Sequence, residues 1–284
     1  MGDPAPGRGR GPSCGPTELR LRVLSALVLA PLALAATYFG GWIFVGFWTL
    51  AALGVAFEWT SLVAVRSRGP LLVIQTVALI GAAALLGVGR PLAAAGLVLG
   101  AAALAAVLGP AGLRRWSAAG GIYGGAMLFA PVVLRSDAKL GFVALLLLFA
   151  VVWATDILAY FVGRAVGGPK LWPAVSPHKT WSGAVGGVLA ALAVGLSVVA
   201  AAGLGRWSAL ALIIVTLSAA SQVGDLMESA FKRRFGAKDT SHLIPGHGGL
   251  MDRLDGFVAA AVVALLVGLA RGGFHAPAQG LLLW

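Results

Sequence analysis

Along the 284 residues, apolar stretches alternate with short clusters of Arg, Lys, Gly and Pro. Nine stretches approach the roughly 20 apolar residues that a helix needs to cross a bilayer. They cover residues 23–40, 42–62, 70–88, 91–108, 118–134, 140–162, 183–202, 208–229 and 256–270. The pattern predicts an all-α fold, a polytopic integral membrane protein with about nine transmembrane helices. Nine spans leave only loops and tails between them, so no extramembrane domain of ordinary size fits.

Composition agrees with the pattern. Hydrophobic side chains make up 59% of the chain and charged ones 11%, against about 25% charged in a soluble domain. So few polar groups cannot cover a globule in water. The net charge of +11 does not imply a nucleic-acid partner, because a nucleic-acid surface needs its cations clustered on one soluble face. The positive-inside rule explains the charge better. With a cytoplasmic N-terminus, the inner side holds Arg8, Arg10, Arg20, Arg22, Arg66, Arg68, Arg114, Arg115, Arg164, Lys170, Lys179, Lys232, Arg233, Arg234, Lys238 and Arg253. Only Arg90, Arg135, Lys139, Arg206 and Arg271 of the 21 basic residues remain outside. The expected location is a bacterial cytoplasmic (inner) membrane. A cleaved signal peptide over residues 20–38 fits poorly, since a long basic tail precedes it and eight spans follow. Residues 1–22 read as a disordered tail, 23–150 as a transmembrane scaffold, 151–271 as the catalytic transmembrane region and 272–284 as a C-terminal tail.

Acidic residues say more than basic ones, because they contribute little to topology and are costly at membrane depth. Of the ten, Asp3 and Glu18 lie in the tail, Glu58 at a span end and Asp137 in an outer loop. The other six, Asp156, Asp225, Glu228, Asp239, Asp252 and Asp255, fall at the cytoplasmic ends of spans or in cytoplasmic loops. Helical spacing places Asp156, Tyr160 and Arg164 on one face, either as a site or as an Asp156–Arg164 neutralising pair. Residues 165–181 read as a turn-rich loop whose Lys170, Ser176, Lys179 and Thr180 can meet phosphate oxygens. Asp225 and Glu228 stand at i,i+3, and Asp252 and Asp255 repeat that spacing. Carboxylates so spaced suit magnesium far better than zinc. With Lys232, Arg233, Lys238 and Asp239 between them, and Gly248 and Gly249 after His247, they describe a magnesium and polyphosphate site. The four histidines are scattered, so His247 reads as a phosphate contact or a turn hydrogen bond rather than a zinc ligand.

The run from Ser229 to Asp255 resembles the signature of the phosphatidate cytidylyltransferase (CDP-diacylglycerol synthase) family. Its fixed positions are matched by Ser229, Lys232, Arg233, Lys238, Asp239, Pro245, His247, Gly248, Gly249, Asp252, Arg253 and Asp255. Upstream family segments are matched by Thr155, Asp156, Ile157, Ala159, Tyr160, Gly163 and Arg164, by Ser176, Pro177, Lys179 and Thr180, and by Gln222, Gly224, Asp225, Leu226 and Glu228. Two positions depart from the family: Ser182 stands where a Glu is common, and Gly256 where a small hydroxyl residue usually follows.

The resemblance implies that CTP and phosphatidic acid give CDP-diacylglycerol and pyrophosphate at the cytoplasmic face. It implies catalytic roles for Asp225, Lys232, Lys238, Asp239, Asp252, Arg253 and Asp255. Asp225, Asp252 and Asp255, with Glu228 and Asp239 as further candidates, would hold Mg2+, with room for a second Mg2+ or K+. Asp156, Tyr160, Arg164, Lys170, Ser176, Lys179, Thr180, Glu228, Arg233, His247, Gly248 and Gly249 would bind substrate. A homodimer is also implied. The nearest alternative is a CTP-using lipid kinase, which would release CDP. A transporter would place its polar groups at the midplane in repeated halves, a pattern this chain lacks.

Overall fold

The computed structural model describes residues 16–64, 68–241 and 248–284. The helices are α1 (Pro16–Phe39), α2 (Gly41–Val63), α3 (Arg68–Gly87), α4 (Pro91–Leu108), α5 (Arg114–Arg135) and α6 (Gly141–Val166). After a short ribbon of β1 (Lys170–Trp172) and β2 (Ser176–Thr180) come α7 (Trp181–Ala201), α8 (Trp207–Arg234), α9 (Met251–Gly272) and α10 (Pro277–Leu282). The nine expected spans correspond to α1–α9. Among the described residues, α2 to α9 are eight helices long and apolar enough to cross a membrane, and Leu27–Phe39 of α1 is a shorter apolar helical stretch. The protein is a multi-pass, all-α integral membrane protein.

Contacts at the two ends show that the helices alternate in direction. At one end, Glu58 near the close of α2 meets Thr240 and the start of α9. At the other, Arg135 Nε donates to Thr37 O at 2.7 Å, and Gln279 N donates to Asp137 Oδ2 at 2.9 Å. The site end gains depth from helix length. With 28 residues in α8 and 26 in α6, a rise of about 1.5 Å per residue gives roughly 42 and 39 Å, against a hydrocarbon core of about 30 Å.

Small residues let the backbones around the site approach closely, as expected where lipid supplies no hydrophobic drive between helices. A Cβ on Gly187 would fall 2.8 Å from Thr155 O, and one on Gly183 would fall 2.6 Å from Ala159 O, so α7 lies directly on α6. Between α8 and α9, a Cβ on Gly224 would fall 2.8 Å from Asp255 O, and one on Gly256 would fall 2.5 Å from Ser221 Oγ. Aromatic stacking holds α2 against this pair. Trp59 lies over Phe231 with ring centroids 3.9 Å apart, and Trp48 stacks on Phe257 at 4.8 Å. These contacts bind α2 to α8 and α9.

Two segments outside the expected spans carry elements of their own. Residues 165–181 contain an antiparallel ribbon that pairs Lys170 with Thr180 and Trp172 with Ser176, where a loop was predicted. Strands of three and five residues are too short for alternation to reveal. Residues 272–284, read as a C-terminal tail, carry the short helix α10. Pro277, Ala278, Gly280, Leu281 and Leu282 of α10 are buried, and Arg271 Nη1 donates to Gly280 O at 2.6 Å. Asp137 anchors this helix. Burial opposes its charged form, but N–H groups of Gln279, Leu140 and Lys139 outweigh that and hold the carboxyl below its ordinary pKa.

Candidate active site

The signature carboxylates form two layers between α8 and α9. The spacing suggests that Asp225 pairs with Glu228 and Asp252 with Asp255, each along its own helix. Instead the acids associate across helices by depth. Because α8 descends toward this face and α9 leaves it, Asp225 and Asp255 are the inner members and Glu228 and Asp252 the outer ones.

In the inner layer, Asp225, Asp255 and Asp156 of α6 lie close enough to repel one another electrostatically. Lys179, carried in by β2, donates to Asp225 Oδ2. Gly256 N donates to Asp255 Oδ1 at 2.7 Å, which fixes that side chain against its own helix. Asp156 is exposed, as are Ile157, Tyr160 and Phe161 on the same helix. Among the described residues it forms no ion pair with Arg164, which reaches Tyr160 Oη at 2.9 Å instead. Arg253 is exposed and within electrostatic reach of Asp156.

In the outer layer, Lys232 Nζ lies 2.8 Å from Glu228 Oε2 and 2.8 Å from Asp252 Oδ1. Asp252 Oδ2 accepts from Gly249 N at 2.8 Å and Thr240 N at 3.1 Å. Asp252 thus joins α8, the residues just after it and the start of α9. Gly248 has φ +82°, a left-handed conformation in which glycine carries no Cβ penalty. A Cβ there would also fall 2.9 Å from Asp252 Oδ2.

The remaining expected residues surround these layers. Arg233, Lys238 and Asp239 are exposed, with Arg233 Nη1 donating to Ala237 O at 3.3 Å. Asp239 stands beside Gly248, on the side where that glycine also meets Asp252. Thr180 caps α7 by accepting from Gly183 N at 3.1 Å, while Lys170 and Ser176 lie on the ribbon. Ser182, where the family commonly has Glu, donates to Gly167 O. His247 lies outside the described residues.

Sequence reasoning missed Glu58. It was read as a span-end residue of the scaffold, yet it is fully buried and accepts four hydrogen bonds. Ser241 Oγ and Leu250 N reach Oε1 at 2.6 and 2.7 Å. Thr240 Oγ1 and Met251 N reach Oε2 at 3.0 and 2.7 Å. The available signal was a lone carboxylate in the apolar aromatic stretch Ala56-Phe57-Glu58-Trp59.

Among the described residues, no group of three or more Asp, Glu, His or Cys side chains is placed to hold a metal ion. The carboxylates of the inner layer nevertheless offer oxygen donors, the chemistry a hard divalent cation requires. A small cation that retains water and shares its shell with substrate phosphates needs only one or two carboxylates.

An apolar helical bundle that gathers acids and cations at one end defines a membrane enzyme of phosphate chemistry, and comparison with known proteins agrees. The cytidylyltransferase family model matches residues 20–270. Phosphatidate cytidylyltransferases of Brucella abortus (strain 2308) and Brucella suis biovar 1 (strain 1330) are 45% identical over 261 residues, 89% of this chain and 94% of each relative. The Staphylococcus saprophyticus phosphatidate cytidylyltransferase is 47% identical over 116 residues, 40% of this chain and 44% of the relative. The chain belongs to the cytidylyltransferase family and is a nucleotidyltransferase.

Proposed function

We propose that the protein is a phosphatidate cytidylyltransferase of a bacterial cytoplasmic membrane, with the two acidic layers at the cytoplasmic face. The observation that carries this reading is the inner layer, Asp156, Asp225 and Asp255 with Lys179, in a chain whose relatives bear that name. A phosphate oxygen of phosphatidic acid attacks the α-phosphorus of CTP. The bond from that phosphorus to the bridging oxygen breaks, and pyrophosphate leaves with the electron pair. A phosphomonoester is already mostly ionised near neutral pH, so no general base is needed. The chain must instead bring two anions together.

Asp225 and Asp255, with Asp156 alongside, would hold Mg2+, which when bound offsets charge on the phosphates and on departing pyrophosphate. Asp252 and Glu228, engaged by Lys232 as Asp225 is by Lys179, remain further candidates to hold the cation. Lys179, Arg253, Lys238 and Arg233 contact phosphate oxygens, with Lys170, Arg164 and the signature glycines lining the approach. Catalysis rests on positioning and electrostatic stabilisation. The exposed face of α6 around Asp156 admits the lipid headgroup from the bilayer while CTP arrives from water. A homodimer and a second cation, Mg2+ or K+, belong to the same reading.

The test is incubation of detergent-purified protein with CTP labelled at the α-phosphate, phosphatidic acid and Mg2+. Label should pass into CDP-diacylglycerol as pyrophosphate accumulates. Labelled CDP with a phosphorylated lipid alcohol as the second product would instead identify a lipid kinase.

A further inference from the structure

The first 150 residues read as scaffold, but one of their side chains reaches the signature segment. Glu58 on α2 is joined to residues 182 to 193 positions later by four hydrogen bonds, two at each carboxylate oxygen. Its partners fall in two groups. Thr240 and Ser241 directly follow Lys238 and Asp239, while Leu250 and Met251 directly precede Asp252, Arg253 and Asp255.

The first turn of a helix leaves N–H groups without helical partners, and a negative side chain there is favourable. Leu250, at the N-cap of α9, has no side chain that can cap. Glu58 supplies the cap from another helix. Gly249 makes room for it, since a Cβ at that position would fall 2.8 and 2.9 Å from the Glu58 carboxylate oxygens. Asp252 accepts from Thr240 N and Gly249 N as well, so two carboxylates grip the same neck of chain.

We infer that Glu58 is a positioning residue for the cytidylyl transfer, setting where α9 begins and where Lys238 and Asp239 stand relative to the inner acidic layer. This rests on the reaction proposed above. A buried carboxylate left without donors is costly, so its four partners are held as tightly as it is. Displacement of reacting groups by about 1 Å can lower a rate about 100-fold.

The test compares wild type with Glu58→Gln and with Thr240→Val/Ser241→Ala, each purified in detergent and assayed per folded, monodisperse protein. Gln keeps the shape but turns an N–H2 group toward two donors. The hydroxyl double variant keeps Glu58 and both backbone donors. For Glu58→Gln, kcat should fall about 100-fold with the KM for phosphatidic acid within about twofold of wild type. The hydroxyl variant should lose about tenfold in kcat, and combining all three changes should cost less than the product of the separate losses. Unchanged kcat per folded molecule, a lowered melting temperature alone, or multiplicative losses would overturn the inference. If Glu58→Gln does not fold, unchanged kcat in the hydroxyl variant overturns it and a loss in kcat at constant KM supports it. If wild type itself makes no CDP-diacylglycerol, the proposed reaction fails rather than the positioning role.

Discussion

Replacing Lys232 by Met separates structural from chemical work at this site. Met roughly preserves volume and removes the cation lying 2.8 Å from both Glu228 and Asp252. Side-chain exposure there is 12% for Lys232, 3% for Glu228 and 7% for Asp252, so water cannot replace the lost ammonium. Removing one partner of a buried ion pair costs about 3–5 kcal/mol. At about 2–4 °C per kcal/mol for a chain of this size, that is a melting decrease on the order of 10 °C. Glu228→Gln/Lys232→Met removes one of the two stranded carboxylates together with the cation, leaving Asp252 to its backbone donors, and should recover at least half of the loss. Thermal melting of detergent-solubilised protein at fixed lipid content measures both variants, and CDP-diacylglycerol formation is read on the same samples. If Lys232 also contacts substrate, the double variant regains stability without turnover. A Lys232→Met protein that melts like wild type, or a double variant no more stable than the single one, would refute the buried-pair reasoning.

Three further outcomes are expected. Asp255→Asn, in the inner layer, should cut turnover about 100-fold or more and raise the Mg2+ concentration needed for half-maximal rate, as measured by metal titration at saturating CTP. Gly187→Val should destabilise the bundle by about 1–3 kcal/mol, because its Cβ would meet Thr155 O at 2.8 Å and force α7 from α6; an unchanged melting temperature would refute this. Asp137→Asn should weaken the fold above about pH 4, the unfolded carboxyl value. The Asp137 pKa is lowered in the fold, so its stabilisation is complete above that pH and disappears as pH falls through the folded value. Melting curves of the two proteins should converge in acid.

The spans were legible because a hydrocarbon environment demands long apolar runs, and the edges were read least well. The run over 208–229 continues as helix to Arg234, and the final one begins at Met251 rather than 256. There the chain leaves the lipid and helix no longer requires apolar residues. Site chemistry was legible where residue types cluster, as from Asp225 to Asp255. Pairing was not. Spacing of i,i+3 identifies neighbours along one helix, whereas Glu228 and Asp252 meet through Lys232 only because α8 and α9 run in opposite directions. Glu58 was hidden for a different reason: its partners lie 182 to 193 residues away, and a single carboxylate at a span end has the composition of any interfacial residue. The ribbon bearing Lys179 was obscured by its shortness.

The two acidic layers also work as a vernier. Sliding α9 along α8 by one turn, about 5.4 Å, would bring Asp255 to the level of Lys232 and strand Asp252. The charges alone do not prevent this, since either alignment offers Lys232 a carboxylate. Steric indexing does, through Gly224 against the Asp255 backbone and Gly256 against Ser221. Two residues without side chains therefore act as the detent that decides which acid meets which partner.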